Sequence, residues 1–114
     1  MVNPRGYVPD RGDLIWINFN PQSGREQSGR RPALVLSPAK YNGRVGLALL
    51  CPITRQAKGH PFEVAIVSAS IEGVVLSDHL KSLDWNLRDA EFVGKASAPI
   101  VKAVLNNIAK LIGE

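Results

Sequence analysis

Apolar and polar positions along the chain alternate in short blocks and then change period near the end. DLIWINF (13–19) is dense in β-branched and aromatic residues and reads as a buried strand opened by Pro9, Asp10 and Gly12. ALVLS (33–37) is a second strand, with Pro32 at its entry, where a missing ladder donor is tolerated. PAKYNGRVG (38–46) carries Asn-Gly and predicts a turn or short helical bend. LALLCPI (47–53) is a third strand, apolar on both faces, and FEVAIV (62–67) a fourth. GVVLS (73–77), HLKSLDW (79–85) and EFVGK (91–95) complete the strands. The period then becomes helical: SAPIVKAVLNNIAKLIG (97–113) puts Ile100, Val104, Ile108 and Leu111 on one stripe, with Val101, Leu105 and Ile112 beside it. Ser97 suits the N-cap, Pro99 the first turn and Gly113 the stop.

Many short strands followed by one helix predict a mainly β protein: a small, strongly bent sheet or barrel of six to seven strands, covered by a C-terminal amphipathic helix. With 114 residues and no repeat, low-complexity tract or linker, residues 1–114 read as a single domain. No apolar run approaches the length that spans a bilayer, and MVNPRGYVPD holds no signal-peptide core. The lone Cys51 excludes an internal disulfide and a cysteine-based metal cluster, and reads as a small buried hydrophobe. A cytoplasmic location is the default expectation.

Charge changes the picture more than composition does. The net charge is +4, but residues 1–60 hold nine Lys/Arg against three Asp/Glu, and residues 61–114 hold five against seven. That asymmetry points to a polyanionic partner, with nucleic acid foremost; a merely basic protein is the plain alternative. The basic residues concentrate in GREQSGRRP (24–32) and RQAKGHP (55–61). From Phe19 to Ala33 the connection far exceeds a hairpin loop of about 2–5 residues. Arg25, Arg30 and Arg31 suit phosphate, because the guanidinium fork matches its oxygens. Glu26 does not suit it. An acid among arginines is either a solvated ion pair or a proton acceptor beside substrate-binding cations. Trp16 and Trp85 read as core rather than stacking platforms. Asp13 and Asp78 lack the spacing of a metal site, and neither a Walker nor a GxGxxG pattern is present.

YVPDRGDLIWINFNP, GREQSGRRPALVLSP, YN, CPIT, KGHPFEV and GVVLSDHLKSLDW, in this order, resemble the MazF (PemK-like) toxins of bacterial toxin–antitoxin pairs. The likeness runs from Tyr7 to Ile112 and is weakest in the terminal helix. It implies an SH3-like barrel with a C-terminal helix, a homodimer, no metal or other cofactor, and cleavage of single-stranded RNA at short sequences, with mRNA the expected substrate. It also implies an antitoxin whose acidic, flexible tail occupies the RNA groove. In the implied reaction the 2′-hydroxyl attacks the adjacent phosphorus, leaving a 2′,3′-cyclic phosphate and a 5′-hydroxyl. Glu26 matches the position assigned to proton transfer, Arg31 the arginine at the scissile phosphate, and Thr54 the hydroxyl that hydrogen-bonds it. Which of Glu26 and Arg31 is the base stays open.

Further RNA contacts are expected at Arg25, Gln27, Arg30, Arg55, Lys58, Ser77, Asp78, His79, Lys81 and Ser82. His79 stands where the family often has glutamine; it and His60 read as RNA contact or plain surface before catalyst. Two other classes compete. A gyrase-poisoning toxin shares the fold but has no use for the arginine–glutamate loop, and Leu-Ile-Gly-Glu lacks its terminal aromatic. A non-catalytic RNA-binding barrel would bind RNA with steep salt dependence and leave it intact.

Overall fold

The computed structural model describes residues 6–20, 29–68 and 70–113. Seven strands are present: β1 Asp13–Asn18, β2 Arg30–Val35, β3 Leu47–Thr54, β4 Glu63–Ser68, β5 Ile71–Leu76, β6 Lys81–Asp84 and β7 Glu91–Lys95. Helix α1 (Ala39–Val45) joins β2 to β3, a 3-10 turn (Ser77–His79) joins β5 to β6, and helix α2 (Ala98–Ile112) closes the chain. The sheet runs in the order β4-β5-β3-β2-β1-β7, with every pairing antiparallel. Strand β3 is the branch point: its first half pairs with β6, from Leu47 opposite Asp84 to Leu50 opposite Lys81. Its end pairs with β5, Ile53 opposite Val75 and Thr54 opposite Val74. The expected mainly β fold with a C-terminal helix is observed.

Alternation along β1, β2 and β3 sends side chains to two faces, and both are buried. Leu14, Leu34, Cys51, Ile53 and Val75 form one cluster, which α2 closes with Val104 and Ile108. Ile15, Ile17, Val35, Ala48 and Leu50 form the other, closed by Trp85. Burying a sheet on both faces explains why β3 reads as a continuous apolar run.

The second cluster carries a buried polar knot. Asn42 on α1 is fully buried; its Nδ2 donates to the carbonyls of Pro9 (2.7 Å) and Ser37 (2.9 Å). Ser37 Oγ donates to Asn42 Oδ1 (2.6 Å) and accepts from Leu49 N (2.8 Å). Trp85 Nε1 donates to the Asn42 carbonyl (3.0 Å). Asp10 supplies the cap that Pro38 cannot: its Oδ1 accepts from Ala39 N at 2.8 Å, which holds the Asp10 carboxyl below its usual range.

Boundaries differ from the sequence reading in several places; β5, for example, runs Ile71–Leu76 rather than 73–77. Strand β2 starts at Arg30 rather than at Ala33, because Arg30 and Arg31 pair with Asn18 and Ile17 of β1. Backbone pairing, not apolarity, decides that start. The segment 77–82 is not one polar strand: Ser77–His79 form the 3-10 turn and β6 begins at Lys81. On α2, Ser97 is the N-cap through its carbonyl, which accepts from Ile100 N (3.1 Å) and Val101 N (3.2 Å), and no side-chain cap forms. Val104 and Ile108 are buried, while Leu105, Leu111 and Ile112 are exposed.

Candidate active site

The polar connection between β1 and β2 is fastened at its neck. Phe19 N donates to the Gly29 carbonyl (2.9 Å), and Gly29 N donates to Asn20 Oδ1 (2.9 Å). Gly29 has φ +75°, a left-handed conformation that glycine takes without strain. Arg88 clamps the other arm, donating from one guanidinium nitrogen to the carbonyls of Asn18 (3.1 Å) and Asn20 (2.8 Å). Arg30 and Arg31 therefore leave the neck already in ladder register, so they are placed by the sheet and not by the loop.

Thr54 ends β3. The β2–β3 pairing runs Val35–Leu50, Leu34–Cys51, Ala33–Pro52; Arg31 lies two residues beyond it on β2 and Thr54 two residues beyond it on β3. Thr54 is buried but for its edge, and its Oγ1 accepts from Gln56 N (3.2 Å), a local turn that sends the chain away from the sheet. Its backbone is crowded from the far side by Gly73 of β5, at φ +156°. A β-carbon on Gly73 would stand 2.2 Å from the Thr54 carbonyl oxygen, so only glycine lets β5 close here.

These residues share one open groove of about 510 Å³. Arg30, Arg31, Thr54 and Arg55 line it, together with Trp16, Pro32, Ile53 and Ile71, and with Gln56, Ser70 and Glu72. Of the apolar members, Ile53 and Ile71 belong to the cluster that α2 closes. Arg30 also reaches Glu91 on β7 at 3.1 Å; both side chains are largely exposed, so the pair is weak. Chemically the groove offers guanidinium groups and a hydroxyl to an oxyanion above an apolar floor.

Of the expected site residues, the groove brings together Arg30, Arg31, Thr54 and Arg55. Arg25, Glu26 and Gln27 lie outside the described residues. Lys58 sits on the exposed 55–61 connection, which Glu63 ties down by accepting from Lys58 N and Gly59 N at 3.0 Å. Asp78, His79, Lys81 and Ser82 are not among the groove's lining; Ser82 stands opposite Leu49, toward the other end of β3. Ser77 is a correction. It is 1% exposed, its Oγ accepts from Asn107 Nδ2 of α2 (3.2 Å), and its carbonyl faces Cys51 Sγ at 3.7 Å. A hydroxyl so enclosed braces the helix against the sheet and cannot reach a ligand.

Trp85 is core as expected, but Trp16 is half-buried and walls the groove. Gln56, Ser70 and Glu72 escaped the sequence reading because nothing in their local pattern separates them from ordinary strand-end polar residues. Asp13 proves structural: it is buried, accepts from Tyr7 OH (2.7 Å) and Asp10 N (3.0 Å), and lies 2.7 Å from Lys95 Nζ. Burial first, and then that bond, push the Tyr7 hydroxyl far above its usual range. The bond to Asp13 likewise raises Lys95. Among the described residues no three His, Cys, Asp or Glu side chains gather as a metal site would require, and no helix is long and apolar enough to cross a membrane.

Fold and groove define a class: a small bent-sheet protein with one capping helix and a cation-rimmed cleft at the strand ends. Residues 10–112 match the family described as the PemK-like, MazF-like toxins of type II toxin–antitoxin systems, and the chain belongs to it. It is 46% identical over 107 residues to the endoribonuclease toxin MazF of Escherichia coli K12, covering 94% of this chain and 96% of that one. The crystal structure of MazF from Deinococcus radiodurans superimposes with a TM-score of 0.91 at 53% identity, covering 95% and 99% of the two chains. A MazE–MazF crystal structure from the same organism matches with a TM-score of 0.83 at 49% identity, covering 94% and 97%.

Proposed function

We infer that this protein is the toxin of a toxin–antitoxin pair, an endoribonuclease whose active site is the groove between the ends of β2 and β3. The observation that carries the reading is the meeting of Arg31 and Thr54, from different strands, in one open cleft rimmed by Arg30 and Arg55. Relatives of this length and similarity bear the name endoribonuclease.

In the proposed mechanism RNA supplies its own nucleophile. The 2′-hydroxyl loses its proton and attacks the adjacent phosphorus; the 5′-oxygen leaves with a proton gained. Products are a 2′,3′-cyclic phosphate and a 5′-hydroxyl. Arg31 and Thr54 hydrogen-bond the phosphoryl oxygens, and that bonding strengthens as charge builds in the phosphorane. Glu26, by its match to the family's acidic position, shares proton transfer with Arg31. Arg30 and Arg55, with Arg25, Gln27 and Lys58 from the two loops, hold flanking phosphates. Asp78, His79, Lys81 and Ser82 extend the substrate path in a homodimer, with RNA crossing near the interface. Need for a 2′-hydroxyl excludes DNA as a substrate. No cofactor takes part.

The partner is an antitoxin, as in the MazE–MazF complexes, with an acidic tail that competes for the cationic groove. The pair acts in the cytoplasm, on mRNA. Incubation of the purified protein with single-stranded RNA, with and without EDTA, tests the reading. Cleavage with cyclic-phosphate ends is expected in both, and is lost in Arg31→Ala and Glu26→Ala. Equal cleavage by these variants would sink the site, a strict Mg²⁺ requirement the mechanism, and intact RNA the enzyme.

A further inference from the structure

Trp16 is the large side chain of the groove that phosphate chemistry leaves unused. It lies on β1 with Leu14 two residues before it on the same face, yet Leu14 is fully buried and Trp16 is not. It belongs to neither apolar cluster, although Leu14 on the same face is a member of the one that α2 closes. An indole costs a great deal to leave in water, and here it is left at a cleft rather than packed.

Its setting is rigid. Trp16 is paired on both sides, opposite Pro32 of β2 and opposite Glu91 of β7. The Arg30–Glu91 bridge spans from β2 to β7 and so crosses β1 on this same face, because Arg30 pairs with Asn18 and Glu91 with Trp16. A guanidinium, a flat aromatic, Arg31 and Thr54 all line the one cleft. Single-stranded RNA has the complementary repeat: phosphates need cations, while unstacked bases need a π-face. A duplex offers no free base face and gains nothing from such a surface.

We propose that Trp16 is a specificity-determining residue, the platform on which one base of the single-stranded substrate stacks beside the phosphate held by Arg31 and Thr54. The proposal rests on the RNA-cleaving reading of this groove. Because the platform sits on a strand paired on both flanks, it is in place before substrate arrives, and its contribution falls on binding and base choice rather than on the chemical step.

The test compares wild type, Trp16→Ala and Trp16→Phe on a long single-stranded RNA of mixed sequence. In Trp16→Ala, KM should rise roughly tenfold to a hundredfold, as loss of one base–aromatic stack predicts, with kcat within about threefold. Trp16→Phe should restore most of the loss, and sequencing of the 5′-hydroxyl ends should show relaxed preference at one nucleotide position in Trp16→Ala. Unchanged KM and an unchanged end profile in a folded Trp16→Ala protein overturn the proposal.

Should Trp16→Ala fail to fold, tryptophan fluorescence decides. A 2′-O-methyl octanucleotide of mixed sequence, which cannot be cleaved, should quench wild type but not Trp16→Phe, whose remaining Trp85 is buried on the other face of the sheet. Equal quenching of both overturns the proposal. A wild-type protein that leaves RNA intact defeats the catalytic reading instead, and the fluorescence comparison still decides whether a base lies on Trp16.

Discussion

Strand β3 has two unlike ends. At its start, around Leu49, polar groups are sealed in and satisfied: Asn42, Ser37 and the Leu49 amide answer one another, with Trp85 closing the knot. At its finish, Thr54 stands beside Arg31 and Arg55 in an open cleft. Both ends hold polar side chains on the same strand. One spends their hydrogen bonds on the fold, and the other, in the proposed function, offers its groups to RNA. Stability and activity should therefore separate along β3, and substitutions at the two ends should fail in different ways.

The largest effect is expected at the open end. Thr54→Ala should lower cleavage by about a hundredfold, the scale for one lost oxyanion donor, with a melting temperature close to wild type. Asn42→Ala, at the closed end, should do the reverse. It strands the Ser37 carbonyl and hydroxyl, costing about 2–3 kcal/mol in urea unfolding while leaving the rate per folded molecule unchanged. If Asn42→Ala removes activity in fully folded protein, the two ends are coupled and the division fails.

Gly73→Ala probes the join. The added methyl collides with the Thr54 carbonyl, so both readouts should fall, stability by about 1–3 kcal/mol and activity with it, because Thr54 must move. Loss of stability alone would show that Thr54 tolerates the shift.

Cys51 tests the sealed middle of the strand. Burial, aided by Asp78, pushes its thiol up to about 12 from an ordinary 9.0. The folded state then binds a proton that the unfolded chain gives up, so this contribution is whole below pH 9 and is lost as pH rises toward 12. Alkylation at pH 8 should proceed only through unfolding; rapid labelling of native protein would contradict the burial. The smallest effect is expected for Glu91→Gln. Releasing Arg30 from its exposed partner should tighten RNA binding by about two- to threefold at low salt, and the gain should vanish at high salt. Weaker binding would mean that Glu91 holds Arg30 in a useful pose.

The strands and the terminal helix were legible because their signals are local. Short apolar or alternating runs, marked off by turn residues, gave the strands, and the change of period after Lys95 gave α2. Arg31 and Thr54 read as site residues through their motifs, GREQSGRRP and CPIT; composition alone favours a plain ion pair for Glu26, and the family resemblance reverses that preference. Three placements were not legible. Arg30 and Arg31 read as loop because arginine carries no strand signal, yet pairing with β1 puts them on β2. Ser77 read as groove because its polar segment matches the substrate groove of the family it resembles, and its burial against Asn107 of α2 carries no local signal. Trp16 read as core because indoles are usually buried, and which strand positions the clusters leave uncovered cannot be told from the local pattern.

By itself the sequence determined which segments pair or coil, which face of α2 is apolar and which loops are basic, because these depend on neighbours within a few residues. The tertiary structure decided which polar residues share a cleft. That outcome depends on strand register, on a glycine that admits close approach at Thr54, and on which positions of the sheet the two clusters leave uncovered. Each is a contact between residues far apart in the chain, fixed only when the two faces of the sheet are buried together.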